Sequence, residues 1–260
     1  MPQNDFRLAL AQSPAELTGE AARFAWLEEV LSGMEPADLL LLPECFPTGY
    51  NIPNEIPALA QAPDGPWAQR MGQLAAQHGC AILYGYPERA GDTLFNAAQC
   101  IGPDGAALHH FRKLAIPPGI ERGLYAPGAG AGVFAYRGLK IGVLICYDVE
   151  FPETVRHLAL QGADLVLVPT ALGARWPWIA DVTAPVRAYE NGIHLAYANH
   201  CGTENGVEFY GHSVIAGPHG RELARAGAAP GVIYATIDAS LRDQFYADVP
   251  YLDDVKELAL

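Results

Sequence analysis

The chain is short of positive charge. Sixteen Lys and Arg stand against 29 Asp and Glu, a formal net charge of −13 over 260 residues. No Lys/Arg cluster interrupts that acidity, so a surface that tracks nucleic-acid phosphates is not expected, and the acidic excess serves solubility. Cysteine is sparse as well. Cys45, Cys80, Cys100, Cys146 and Cys201 are scattered, odd in number and without a CxxC pair or Cys/His cluster. Neither a disulfide framework nor a zinc site is suggested, and a reducing cytoplasm fits best. No apolar run approaches the ~20 residues of a membrane helix. The opening MPQNDFRLALAQ lacks the basic region and apolar stretch of a signal peptide. What remains is ordinary globular composition, 50% hydrophobic and 17% charged, with no low-complexity segment or linker. It reads as one domain over 1–260.

Two halves follow each other, each alternating helices with buried strands. In the first, Phe6 to Ala11 reads as a strand, and Ser13-Pro14-Ala15-Glu16 as a capping box that starts a helix. Leu17, Ala21, Phe24, Leu27 and Leu31 mark that helix's face, and Gly33 ends it. Ala37 to Leu42 is a second strand, followed by a loop from Pro43 to Pro57. A helix through Trp67, Met71 and Leu74 closes at Gly79. Strands are expected over Cys80 to Tyr86, Leu94 to Ile101 and Ala107 to Arg112. After the loop Lys113 to Gly130 come a strand over Ile141 to Ile145, a helix over Pro152 to Gln161 and a strand over Ala163 to Val168. Another helix ends near Glu190-Asn191-Gly192, with Pro185 kinking it or marking its start. Strands over His194 to Asn199, Gly211 to Gly217 and Gly231 to Ile237 follow, with Arg221 to Ala226 a further candidate. The fold class is α/β, with two sheets packed on each other and helices outside.

Three strand ends carry chemistry. Cys146 follows the apolar run Ile141–Ile145 and precedes Pro152-Glu153, where a helix begins. Carboxyl ends of strands in α/β sheets are where ligands bind, and a thiol there can meet backbone N–H donors. The competing reading is a structural cysteine, since free Cys is among the most buried residues. Glu44 lies just past Leu39-Leu40-Leu41-Leu42-Pro43, although an idle acid there would turn to water. Lys113 follows the strand Ala107–Arg112, although alone it reads as a solvated loop lysine. None of the eight histidines stands out as a base, and structural or surface roles are expected for all of them. An acid, a cation and a thiol at three strand ends can together take a proton, hold an oxyanion and attack an electrophile.

The stretches LLPECFPTGY, FRKLAIP and GVLICYDVEFPE resemble the three signature motifs of the nitrilase, or carbon–nitrogen hydrolase, superfamily. The resemblance runs from Arg7 to about Leu252, and the motifs come in the family's order. It implies a four-layer αββα sandwich that pairs into a dimer, and hydrolysis of amides, nitriles or carbamoyl compounds through a covalent cysteine intermediate. By that resemblance Glu44 is the general base, Lys113 the oxyanion-stabilising cation and Cys146 the nucleophile. Glu121, in GIERGLYAPG, resembles a second glutamate that positions substrate; the other reading pairs it with Arg122. An adjacent ammonium and a carboxylate base are expected to raise the thiolate fraction, and the Tyr147 N–H to join Lys113 at the oxyanion. Such chemistry needs no metal or organic cofactor.

Tyr147-Asp148 follow the nucleophile where nitrilases of the family carry Trp-Glu, and Val149-Glu150 stand where carboxylate-gripping members carry arginine. An amidase acting on a small amide is therefore expected. The alternatives are a nitrilase, an N-carbamoyl-amine hydrolase, or a catalytically idle scaffold of the same fold. Tyr50, Ala171 and Trp176 are expected to wall a small acyl pocket together with Tyr147. Glu150 facing the pocket would repel a carboxylate, whereas Arg175 turning inward would hold one. A homodimer or higher oligomer is expected from the resemblance, with the tail at about 246–260 (Val249, Tyr251, Leu252, Val255, Leu258) packing at the interface or on its own subunit.

Overall fold

The computed structural model describes residues 6–259. The first five residues of the stretch read as no signal peptide, and Leu260 of the tail, lie outside them.

The first half runs β1 (Phe6–Pro14), α1 (Gly19–Gly33), β2 (Leu39–Leu41), α2 (Ile56–Leu59), α3 (Pro66–His78), β3 (Ala81–Ala90), β4 (Thr93–Ile101) and β5 (Ala107–Arg112). The second runs β6 (Val133–Tyr136), β7 (Leu139–Val143), α4 (Pro152–Leu160), β8 (Leu165–Pro169), α5 (Ala184–Asn191) and β9 (His194–Ala198). Then come β10 (His200–Glu204), β11 (Val207–Tyr210), β12 (Val214–Ala216), β13 (Glu222–Arg225), β14 (Gly231–Ile237), α6 (Ser240–Asp248) and α7 (Tyr251–Glu257). One sheet has eight strands in the order β11-β10-β1-β2-β3-β4-β5, with β14 also on β1, and the other has six, β13-β12-β9-β8-β7-β6.

The expected four layers follow from which face each side chain takes. Leu39 and Leu41 enter the core between the sheets, while Leu40 and Leu42 pack under Phe24, Leu27 and Leu31 of α1 and Trp67, Met71 and Leu74 of α3. A strand buried on both faces reads as a continuous apolar run for this reason. Ile141 and Val143 of β7 and Leu165 to Val168 of β8 belong to one continuous core with Val155 and Leu158 of α4 and Ala184 and Ala188 of α5. The expected ends at Gly79 and Gly192 are both left-handed caps, at φ 65° and 57°.

One local reading is corrected, and one alternative is decided. Ser13-Pro14-Ala15-Glu16 is not a capping box: β1 continues through Pro14, pairing Ser13 with His200 and Pro14 with Cys201, and α1 starts only after Thr18. Tertiary partners displace the local cap, because the Ser13 hydroxyl meets His200 Nδ1 at 2.8 Å and Glu16 accepts the Thr203 N–H at 2.9 Å. Leu17 accordingly lies outside the helix. Pro185 marks the start of α5 and does not kink it; one π turn, Ile179–Thr183, precedes it. Strands β6, β10 and β11 are additional to the expected set. The last two form a hairpin across Asn205 (φ 47°) and Gly206 (φ 82°), a turn with two positive φ angles.

The tail packs on its own chain. Phe245 is buried against Tyr189 of α5, the Tyr246 hydroxyl donates to the Asn191 carbonyl at 2.7 Å, and Leu252 packs on the large core cluster beside Ala159 of α4.

Candidate active site

Glu44 is carried past the end of β2 by Leu42 and Pro43 and is fully buried. Its backbone lies so close to β3 that a Cβ on Gly85 would meet the Glu44 Cα at 2.6 Å, which glycine alone avoids. Lys113 follows β5, its N–H bonded to the Asn96 carbonyl at 2.8 Å. Its Nζ, also fully buried, donates to Glu44 Oε1 at 2.7 Å and to Glu121 Oε1 at 2.6 Å. Asn96 of β4 closes the cluster, donating from Nδ2 to Glu44 Oε1 at 2.6 Å and to Glu121 Oε2 at 3.1 Å. The Tyr50 hydroxyl donates to Glu121 Oε1 at 2.7 Å. Glu121 is therefore not the loop acid paired with Arg122, whose Nη2 goes to the Ile116 carbonyl instead.

Cys146 approaches from the other sheet. Leu144 and Ile145 continue beyond β7, and Cys146, at φ 45°, opens a single 3₁₀ turn through Glu150. A non-glycine residue in the left-handed region carries a conformational cost, which the surrounding structure must overcome. Asp148 does this. Its Oδ2 accepts the Ile145 N–H at 3.1 Å, and its Oδ1 accepts the Leu114 and Ala115 N–H groups at 3.1 and 2.8 Å. One carboxylate thus ties the Cys146 turn to the two residues after Lys113. The Thr170 side chain and the Ala171 backbone lie beside the sulfur and partly favour its anion.

The electrostatics separate these groups. Burial, opposed by the Lys113 charge and assisted by Glu121, raises the Glu44 pKa to about 7. Its Oε2 is buried and accepts no hydrogen bond from the described residues, which leaves that oxygen able to receive a proton. Burial alone would lower the Lys113 pKa, but Glu44 and Glu121 outweigh it and push the pKa well up, so the ammonium is permanent. The Cys146 thiol is also pushed up, first by burial and then by the Glu44 charge, with Lys113 only partly opposing. These surroundings disfavour the thiolate and do not favour it as expected from the neighbouring ammonium.

Ala171 is buried in an apolar group with Ala15 and Phe209, against which Tyr50 packs. Tyr147 is half-buried, edge-on to Phe151 at 5.0 Å. Trp176 is not brought to the hydrogen-bonded cluster; it is 57% exposed, with the Arg175 guanidinium 5.2 Å from its ring. Arg175 is exposed beside it, whereas Glu150 is half-buried, with the Lys113 charge acting on it. Sequence reasoning missed Asn96, the holding role of Asp148, and His200, whose Nε2 lies 2.7 Å from the Glu44 carbonyl oxygen. Asn96 had a signal, one of two amides, with Gln99, in the otherwise apolar run of Leu94–Ile101.

Known proteins resemble this chain over most of its length. The Carbon-nitrogen hydrolase family matches residues 7–246. A "Hydrolase in pqqF 5'region" of Pseudomonas protegens is 43% identical over 251 residues, 95% of this chain and 88% of that one. The 2-oxoglutaramate amidase of Bacillus subtilis is 33% identical, covering 85% of this chain and 86% of its own. A solved glutamate-to-glutamine variant of the amidase from Nesterenkonia sp. AN1 superposes with a TM-score of 0.86 at 33% identity, over 97% of this chain and 95% of that one. In it the acetamide moiety of fluoroacetamide is covalently added at the active-site cysteine. With two stacked sheets and acid, lysine and cysteine at their edges, this chain belongs to the carbon–nitrogen hydrolase family. It is a hydrolase of non-peptide carbon–nitrogen bonds, and its relatives include amidases and nitrilases.

Proposed function

We propose that the chain hydrolyses short, neutral amides to carboxylic acid and ammonia through a Cys146 thioester. The observation that carries this reading is the Lys113 ammonium clamped by Glu44 and Glu121, with only Glu44 keeping an unpartnered oxygen. As the sulfur attacks the amide carbon, Glu44 takes the thiol proton. Lys113 and the Tyr147 N–H receive the oxyanion, and the proton on Glu44 leaves with ammonia. Glu44 then deprotonates water, which attacks the thioester and returns the thiol. Glu121, held by Tyr50 and Asn96, orients the amide.

Neutral substrate is favoured by charge. Glu150 stands near enough to feel Lys113, and Arg175 lies exposed beside Trp176, so among the described residues the motif region offers a substrate carboxylate no cation besides Lys113. The name of the Bacillus subtilis relative points to a carboxylated amide as the second reading. The test is kcat/KM for an aliphatic amide against a carboxylated amide of matched length, in wild type and Arg175→Ala. The neutral amide is expected to win, with Arg175→Ala indistinguishable from wild type. A carboxylated preference lost on Arg175→Ala would reverse the assignment. A homodimer remains part of the proposal; Val186 and Tyr189 of α5 and Val182 of the π turn before it, all exposed, support it. Sedimentation as a monomer at micromolar concentration would count against it.

A further inference from the structure

Strand β10 meets none of the reacting groups, yet two of its side chains grip the two ends of the loop that bears Glu44 and Tyr50. His200 and Glu204 are four residues apart in an extended strand and project from one face. His200 is buried, with Nε2 2.7 Å from the Glu44 carbonyl oxygen and Nδ1 2.8 Å from Ser13 Oγ. A carbonyl only accepts, so Nε2 carries the proton and Nδ1 accepts from the Ser13 hydroxyl. Burial, reinforced by the Arg23 charge, lowers the ring's pKa to about 3 and keeps it neutral.

At the other end, Glu204 Oε2 accepts the Tyr50 N–H at 2.8 Å and the Asn51 N–H at 2.5 Å. Its Oε1 accepts from the buried Arg23 guanidinium at 2.8 Å. Gly49 lies between, at φ 91°, and a Cβ there would overlap both the Glu204 carboxylate and the Arg23 guanidinium. Glycine is therefore required for its backbone angle and for the close approach.

We propose that β10 is the positioning element of the site: His200 sets the Glu44 backbone for proton transfer, while the Glu204–Arg23 pair sets Tyr50 and, through its hydroxyl, Glu121. The inference rests on Glu44 acting as base and Glu121 as substrate holder. The two ends then have separable effects. Freeing the Glu44 backbone misaligns the base with Cys146 and lowers kcat while substrate still binds. Freeing Tyr50 withdraws its hydroxyl from Glu121 and raises KM first.

The experiment is steady-state ammonia release from one short neutral amide by the full chain, alongside thermal unfolding, for His200→Ala, His200→Gln, Ser13→Ala, Glu204→Gln and Cys146→Ala. His200→Ala is expected to lower kcat by about 10- to 100-fold with KM nearly unchanged. His200→Gln, which keeps an N–H donor of similar reach, should recover most of that loss. Glu204→Gln should raise KM by about 10-fold with a smaller change in kcat. If His200→Ala does not fold, Ser13→Ala, which removes the partner fixing the tautomer, must lower kcat in its place. Wild-type kcat in the folded His200→Ala or in that Ser13→Ala, no rescue by glutamine, or kcat and KM moving in the same proportion in both β10 variants overturns the proposal. Turnover by Cys146→Ala would instead overturn the nucleophile assignment beneath it. An inactive Cys146→Ala beside an unaffected His200→Ala would sink the role of β10 alone.

Discussion

The two sheets contribute to the site in opposite ways. The eight-stranded sheet supplies groups that satisfy one another: a lysine held by two carboxylates, both bridged by one amide. The six-stranded sheet supplies a thiol on a left-handed backbone turn, in surroundings that disfavour its anion. Charge is thus preorganised where it need not change, and withheld where it must appear only during reaction. On the proposed mechanism, surroundings that disfavour the thiolate limit unproductive ionisation, while the Lys113 ammonium is in place before the oxyanion forms.

Removing the thiol breaks the comparison most completely. Cys146→Ala should reduce ammonia release to background, with an unfolding midpoint close to wild type, because alanine suits the strand end and no charge is unpaired. Cys146→Ser should be nearly as inactive, since a hydroxyl is harder still to deprotonate against the same burial.

On the other sheet, Glu44→Gln and Lys113→Ala should each cost about 10²-fold or more in kcat/KM. They should differ in stability. Lys113→Ala leaves two buried carboxylates without their cation and should lose about 3–5 kcal/mol in a denaturant titration, whereas Glu44→Gln, with a neutral group next to Asn96, should lose less. The pH profile sharpens this further. Glu44 acts as base only when ionised, and its pKa is raised to about 7. Wild-type kcat/KM should therefore rise with pH through neutrality, falling about tenfold between pH 8 and pH 6. A wild-type profile flat over that range would remove Glu44 as the controlling base.

The smallest effect tests the join between the sheets. Asp148→Asn retains one acceptor oxygen but turns an amide N–H₂ towards backbone donors. Stability should fall by about 1–3 kcal/mol, and kcat by less than in either charge variant, measured on the same preparation.

Much of this was legible in the chain. Glu44, Lys113 and Cys146 could be read because each ends a buried run whose apolar pattern reveals the strand, and because the motifs around them are specific to one family. The resting state of the thiol was not legible, because it depends on how deeply Cys146 and Glu44 are jointly buried. The Ser13 cap failed for a related reason: its hydroxyl finds a partner 187 residues away. The β10–β11 hairpin carried its Asn-Gly turn in plain view, yet the flanking HCGTE and VEFY do not alternate cleanly enough to read as strands. His200 and Glu204 therefore looked like loop residues, although they brace the site.

All five cysteines are free, but they are not equally reachable. Cys146 is 8% exposed, and the other four lie at about 1% or less with no part in the cluster's chemistry. An amide-shaped alkylating agent would be drawn to one sulfur, recognised by its neighbours before the bond forms. The molar ratio of label to native chain then counts competent active sites directly, giving every preparation an internal titre against which its turnover can be normalised.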